Sequence, residues 1–241
     1  MFFQYINAGS LASARVVCPL LVGWLKPESV LDVGCGAGAW CKIWRETGVA
    51  DVLGVDGDYV DRAGLLIDQS EFRSQDLSRA FDLGRTFSLV VSLEVAEHVA
   101  VSSADTFVES LSRHGDVVLF SAAVPGQGGE FHVNEQPLRY WRERFAQQGF
   151  RCFDPLRPRI LVQREVEPWY RYNTLLYARG ASREGLPEAV LGSEIPEGAP
   201  IPELAPLSWR ARNAVLGALP APLVESLVKL KHAWVRRLGP A

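Results

Sequence analysis

Two short segments carry residues whose types and spacing match a metal centre or an acid-base site. In Leu93-Glu94-Val95-Ala96-Glu97-His98-Val99, a helical turn would set Glu94, Glu97 and His98 at i, i+3 and i+4 on one face. Two carboxylates and an imidazole aimed together are hard to stabilise without a cation between them, so the spacing predicts a divalent ion. The second segment, from Pro125 through Gly126, Gln127, Gly128, Gly129, Glu130 and Phe131 to His132, Val133, Asn134, Glu135 and Gln136, is polar and rich in glycine. Such loops commonly serve a ligand, and this one supplies His132 as a fourth donor. Mixed oxygen and nitrogen donors favour Mn, Fe or Zn over Mg. Without an ion, His98 or His132 is expected to act as general base. For Glu97 and His98 the plainer alternative, a role in packing or in shaping a neighbouring ligand site, stays open.

Something must hold those segments at one mouth, and the hydrophobic pattern supplies it. Short β-rich runs over 30–33, 52–55, 72–75, 88–93 and 117–121 alternate with helical patterns over 39–47, 105–113 and 136–148, behind a first helix at 10–25 that contains Pro19. Most of the strand runs are continuously apolar, as expected of a parallel sheet covered on both faces. A closing strand pair is expected over 159–162 and 172–178. The predicted fold class is α/β, Rossmann-like: a doubly wound, mostly parallel seven-stranded sheet with an antiparallel last strand and a helical C-terminal tail.

The first strand runs into a glycine loop, Asp32-Val33-Gly34-Cys35-Gly36-Ala37-Gly38-Ala39. Glycines allow a tight turn and a close approach of backbone to ligand at a helix start. Alone this is a weak signal, because it also satisfies the dinucleotide pattern G-x-G-x-x-A. Three further features favour a ligand without phosphate. Asp32 stands directly before the first glycine, where a carboxylate suits an ammonium group and would repel a pyrophosphate. Asp56 and Gly57 end the second strand about 20 residues past the glycines, the place of an acid that binds ribose hydroxyls. Asp76 and Leu77 end the third strand, where a side chain and a backbone amide can fix an adenine edge.

On these motifs, VLDVGCGAGAW, GVDGDYV, RSQDL and FSLVVSLEVAEHV, the chain resembles the class I methyltransferases that depend on S-adenosylmethionine (SAM), over roughly residues 5–180. The resemblance implies that Asp32, Gly34, Gly36 and Gly38 hold the amino-acid end of SAM, Asp56 and Gly57 the ribose, and Asp76 and Leu77 the adenine, with Glu94 bordering the cofactor. The E-x-x-E-H segment with a distal histidine is similar to the small-RNA 3′-terminal 2′-O-methyltransferases, which implies metal ligation by Glu94, Glu97, His98 and His132. The E-x-x-E-H part alone is similar to ubiquinone-biosynthesis O-methyltransferases, and the whole chain to bacterial methyltransferases that share a GQGG-x-x-HVNEQ loop. Nothing resembles an RNA-binding domain, so an RNA substrate is not carried over. The expected activity is O-methylation of a small-molecule or sugar hydroxyl. The alternatives are N- or C-methylation without metal, and a catalytically silent SAM-binding partner.

Composition sets the remaining bounds. The 241 residues carry a net charge of −3, which offers no electrostatic footprint for duplex nucleic acid. Four scattered cysteines without a C-x-x-C pair argue against a zinc site or a disulfide framework. No basic leader and no spanning apolar run is expected, so the protein is expected to be soluble and cytoplasmic. The methyltransferase domain is expected over 1–184, a proline-rich linker over 185–222 and an amphipathic, basic helix over 223–241 that contacts its own domain, a dimer partner or a membrane surface. Tyr140, Trp141, Trp169, Tyr170 and Tyr172 are expected in core or interface more than as the wall of a sugar-binding cleft.

Overall fold

The computed structural model describes residues 2–219; the helix expected over 223–241 lies outside them. Helix α1 (Phe2–Leu25) leads into β1 (Ser29–Val33), α2 (Ala39–Glu46), β2 (Asp51–Asp56), β3 (Phe72–Ser74), β4 (Leu89–Leu93), α3 (Ala104–His114), β5 (Val117–Ser121) and α4 (Leu138–Gln147). There follow β6 (Arg151–Phe153), α5 (Arg157–Ile160), α6 (Pro168–Asn173), β7 (Leu175–Ala178), α7 (Gly180–Glu184), α8 (Glu188–Leu191), β8 (Glu194–Ile195) and α9 (Leu207–Gly217). The strands form one sheet in the order β3-β2-β1-β4-β5-β7-β6-β8. Strands β1 to β5 pair in parallel, whereas β7 runs antiparallel to both β5 and β6.

Successive residues of a strand face opposite ways, and the two cores follow that alternation. Val30, Leu89, Val91 and Leu119 pack under α1 and α2 against Cys18, Leu21, Ile43 and Trp44. Leu31, Val33, Val90, Val118 and Phe120 pack on the other face under α3 and α4, against Phe107, Leu111, Trp141 and Phe145. Because β1 is flanked by β2 on one side and β4 on the other, chain order reverses there. The loops after β1 and β4 therefore splay apart and leave a crevice at the carboxyl ends of the strands.

Four expectations need correction. The stretch 159–162 is no strand: α5 covers most of it, with Pro158 in its first turn, where a ring-fixed φ and a missing N–H cost nothing. The partner of β7 is instead the three-residue β6 just after Gly149, too short to leave a pattern. The sheet has eight strands, because the two-residue β8 adds to β6 through Cys152↔Ile195 and Phe153↔Glu194. The proline-rich stretch is, over its described part, no free tether: besides β8, Arg142 donates to the Ala199 carbonyl at 2.5 Å and the buried Arg157 to that of Pro202 at 3.1 Å. Finally, Asn7–Leu25 is long and apolar enough to cross a membrane by length and composition alone. In the fold its buried residues Ala14, Val17, Cys18 and Leu21 recur at helical spacing against the sheet, and Pro19 lies on the exposed side.

Among the five aromatics, Trp141, Tyr170 and Tyr172 are buried. Trp141 and Tyr170 belong to opposite faces of the sheet, so the five do not form one wall.

Candidate active site

The glycine loop and the acid after β2 form one unit. Gly34, Gly36 and Gly38 all have left-handed backbone, with φ of 83°, 54° and 84°, which side chains resist. The amides of Gly34 and Cys35 bond to the Val55 carbonyl at 2.8 and 3.2 Å, and that of Gly36 bonds to Asp56 Oδ2 at 2.7 Å. Asp56 Oδ1 accepts from the Gly57 amide at 2.6 Å and from the Tyr59 hydroxyl at 2.5 Å. A side chain on Gly34 would drive into Val95, whereas one on Gly36 would meet open space. The first glycine locks this loop to the one after β4, and the second leaves a cradle.

Asp32 sits behind the loop instead of in its mouth. It is 3% exposed and accepts a bond from the Cys41 thiol at 3.3 Å. Burial pushes its pKa up to about 7, opposed by the thiol bond and aided by the charge of Asp56. The folded chain therefore keeps this proton to near neutrality, while an unfolded Asp releases it near 3.9. The associated stability is complete below about pH 4 and lost as pH rises through 7, on the order of 4 kcal/mol. Asp32→Asn should remove that slope: urea midpoints at pH 5 and pH 8 should lie closer together than in the parent, and the variant should gain most at pH 8.

Asp76, after β3, is exposed, and its Oδ1 caps its own turn through the Ser78 amide (3.0 Å) and hydroxyl (2.6 Å). The neighbouring Leu77 packs against the core on the α3 side.

The E-x-x-E-H segment does not form one helical face. Glu94 ends β4 with φ 57°, and only Ala96–His98 make a single 3-10 turn. The group brought together is Glu97, His98 and His132, whose ligand atoms all lie within 4.8 Å of one another. The amides of Val133 and Asn134 bond to the Glu97 carbonyl at 2.8 and 3.0 Å, so the glycine-rich loop is stapled to the 3-10 turn. His132 Nε2 lies 3.9 Å from Glu97 Oε1, and the two imidazoles meet edge to face at 4.9 Å. Glu94 is set apart: its Oε2 accepts from Gln127 Nε2 at 2.7 Å, and Gln127 Oε1 accepts from Asn173 Nδ2 at 2.8 Å.

Two observations define what this group can hold. Glu94 Oε1 and Glu97 Oε2 are buried without a hydrogen-bond partner among the described residues, a costly state for acceptors. Burial also raises the pKa of both acids, that of Glu97 strongly and with help from the Glu94 charge. Each imidazole, meanwhile, is fixed from behind. His132 Nδ1 is 2.8 Å from Glu135 Oε1 and His98 Nδ1 is 3.3 Å from the Phe131 carbonyl, so each Nδ1 donates to an oxygen behind its ring. Burial, then His132, lowers the His98 pKa and keeps that ring neutral. Burial would raise Glu135, but bonds from His132 and the amides of Gly128 and Gly126 outweigh it and lower its pKa. Buried acceptors facing two oriented imidazoles, one backed by a carboxylate, form a donor set that fits a divalent cation.

Sequence reasoning missed Glu135, Gln127, Tyr59 and the role of α9. Glu135 stands three residues after His132 within the same loop, a spacing that could have marked it; nothing local marks α9. That helix lies on the loop, where Arg212 donates to the Gln127 carbonyl at 2.9 Å. A side chain on Gly126, whose φ is 77°, would strike the Asn213 backbone. Gly126→Ala should therefore shift α9 and the loop together, weakening divalent-metal binding about tenfold by the scale of other supporting-shell changes with SAM affinity unchanged in the same titration series.

Residues 19–157, more than half of the chain, match the model of a family described as a methyltransferase domain. A ubiquinone biosynthesis O-methyltransferase of Azorhizobium caulinodans is 35% identical over 85 residues, 32% of each chain. The chain thus spans about a third of the length of the curated relatives it matches. Among solved structures, the sugar N-methyltransferase KedS8 from Streptoalloteichus has a TM-score of 0.55 at 18% identity, covering 70% of this chain and 87% of that one. Magnesium protoporphyrin IX methyltransferase from Synechocystis, solved with bound SAM, has a TM-score of 0.51 at 18% identity, covering 71% and 80%. Fold, loop and family agree: the chain belongs to the methyltransferase-domain family and is built on the Rossmann-like class I methyltransferase fold.

Proposed function

We propose that this enzyme methylates a hydroxyl oxygen of a small molecule or sugar, with a divalent cation (Mn, Fe, Zn or Mg) held by Glu97, His98 and His132 and with Glu94 behind them. The observation that carries the proposal is the convergence of those three ligand atoms beside two buried carboxylate oxygens that lack a hydrogen-bond partner among the described residues. The O-methyltransferase names of the partial relatives support the choice of oxygen. A bound divalent ion would lower the pKa of an alkyl hydroxyl, otherwise a poor nucleophile at neutral pH, and fix its approach.

The chain's own residues do the rest. Gly34, Gly36 and Gly38 shape the cradle for the amino-acid end of SAM, with Asp32 buried behind them. Asp56 and Gly57 take the ribose, and Asp76 and Leu77 border the adenine. Glu135 and the Phe131 carbonyl hold the His132 and His98 rings so that each Nε2 faces inward, ready to hold an ion or to accept the hydroxyl proton. Fixing acceptor and methyl group in line accounts for a further part of the rate.

The test is the identity of the bond formed. With SAM carrying a 13C methyl and a panel of alcohols, sugars and amines, the labelled product should show the carbon shift of a methoxy group. A label found only on nitrogen or carbon would reject the proposal, and a label found nowhere across a lysate would favour a silent binding partner.

A further inference from the structure

Beside the glycine-rich loop, and distinct from the cluster of Glu97, His98 and His132, lies a cavity of about 820 Å³. Its volume is that of a small-molecule site. The described C-terminal segment forms much of its wall: residues 198–203 on one side and Trp209, Arg210 and Asn213 of α9 on another, facing Tyr172, Asn173 and Arg139. The match to the methyltransferase-domain model stops at residue 157, so this wall is added to the common domain.

The lining is selective. Tyr172 and Trp209 meet at 5.5 Å with their planes 60° apart, and Pro200 and Pro202 add flat apolar surface, a corner for one face and one edge of a ring. The indole N–H of Trp209 is buried and has no acceptor among the described residues. Three arginines line the cavity against two glutamates, Glu143 and Glu203. Arg142 is engaged with the Ala199 carbonyl, but Arg139 and Arg210 make no side-chain hydrogen bond or ion pair among the described residues. Two more guanidinium groups stand over the aromatic rings, Arg212 at 5.2 Å from Trp209 and Arg171 at 5.3 Å from Tyr172. Arg139 and Arg210 are exposed at the cavity and free to turn toward a ligand, and their planar guanidinium groups in a net positive lining suit an anion. The cavity also touches the reaction site: Asn173 lines it and joins Gln127, which joins Glu94.

We propose that this cavity seats the non-reacting body of the methyl acceptor, and that the acceptor is a ring compound bearing a phosphate or carboxylate, its ring against Tyr172 and Trp209 and its anion between Arg139 and Arg210. The inference rests on the O-methyltransferase reading above for calling the occupant an acceptor, while the preference for an anionic ring stands on the cavity alone.

Calorimetric titration of the full chain with two probe pairs tests it: glucose 6-phosphate beside glucose, and phenyl phosphate beside phenol. At least one anion should bind ten or more times tighter than its uncharged twin, and the double variant Arg139→Gln, Arg210→Gln should abolish that advantage. Equal binding within both pairs, or an advantage that survives the double variant, would overturn the proposal. Mn and SAM titrations on the parent protein separate the two ideas: no anion preference in the parent with Mn binding intact refutes the cavity alone, and absence of Mn binding with the preference intact refutes the metal site alone.

Discussion

His132→Ala is expected to lower methyl transfer about a thousandfold while leaving SAM affinity within about twofold. Such a loss corresponds to about 4 kcal/mol of transition-state stabilisation, within the span of a lost metal ligand or a lost general base. The ring is not part of the SAM cradle: its contacts run to Glu97, His98 and Glu135. Removing it leaves Glu97 buried beside Glu94 with one fewer group to share a cation. Chelation of divalent ions should match the effect in the parent and add little to the variant. Glu135→Gln should behave differently, because Glu135 acts on the reaction through others, by fixing the His132 ring and by accepting from the Gly126 and Gly128 amides of the loop. It should weaken metal binding roughly 10- to 100-fold and recover activity at saturating metal, which His132→Ala should not. Full activity of His132→Ala in the chelated state would refute both roles of the residue.

Asp56→Asn is the second large effect: SAM affinity should fall about a hundredfold, about 2.7 kcal/mol. A carboxylate facing a vicinal diol makes two charge-assisted bonds, each worth roughly 1.5–3 kcal/mol. The amide keeps one acceptor but turns a donor toward the Gly36 or Gly57 N–H that Asp56 now accepts. A control carries the opposite sign. Tyr59 is 75% exposed, and its hydroxyl occupies the Asp56 oxygen that a ribose would use. Tyr59→Phe removes that competitor and should tighten SAM binding by a few-fold. Equilibrium titration of the three proteins checks both directions, and thermal melts establish that Asp56→Asn is folded.

The parallel half of the sheet was legible because β1, β2, β4 and β5 are apolar on both faces and each ends at a glycine, acid or turn residue. The far edge was not. β6 and β8 have three and two residues, too few for a two-residue alternation to repeat, and Pro158 starts a helix where β-branched and aliphatic residues suggested a strand. The packing of 185–219 combines a few scattered apolar residues, Leu186, Val190 and Ile195, with backbone carbonyls that accept from Arg142 and Arg157, and backbone acceptors leave no trace in composition. At the site, residue identity carried Glu97, His98 and His132 to one place, yet the assumed helix misplaced Glu94. Its left-handed φ turns the chain before the 3-10 turn begins, and that conformation in a non-glycine residue has no sequence signature. Asp32 was expected as a carboxylate at the mouth of the loop, whereas it lies buried behind it, with the Cys41 thiol against it.

What the whole account depends on is that the facing carboxylates and imidazoles at the end of β4 exist to share a cation. Titrating Mn into the full-length protein in the presence of SAM, followed by the loss of the free-ion paramagnetic resonance signal, tests that directly. One ion per chain should bind saturably, and His132→Ala should release it. A signal that never saturates, or a stoichiometry and affinity that His132→Ala leaves untouched, would contradict it.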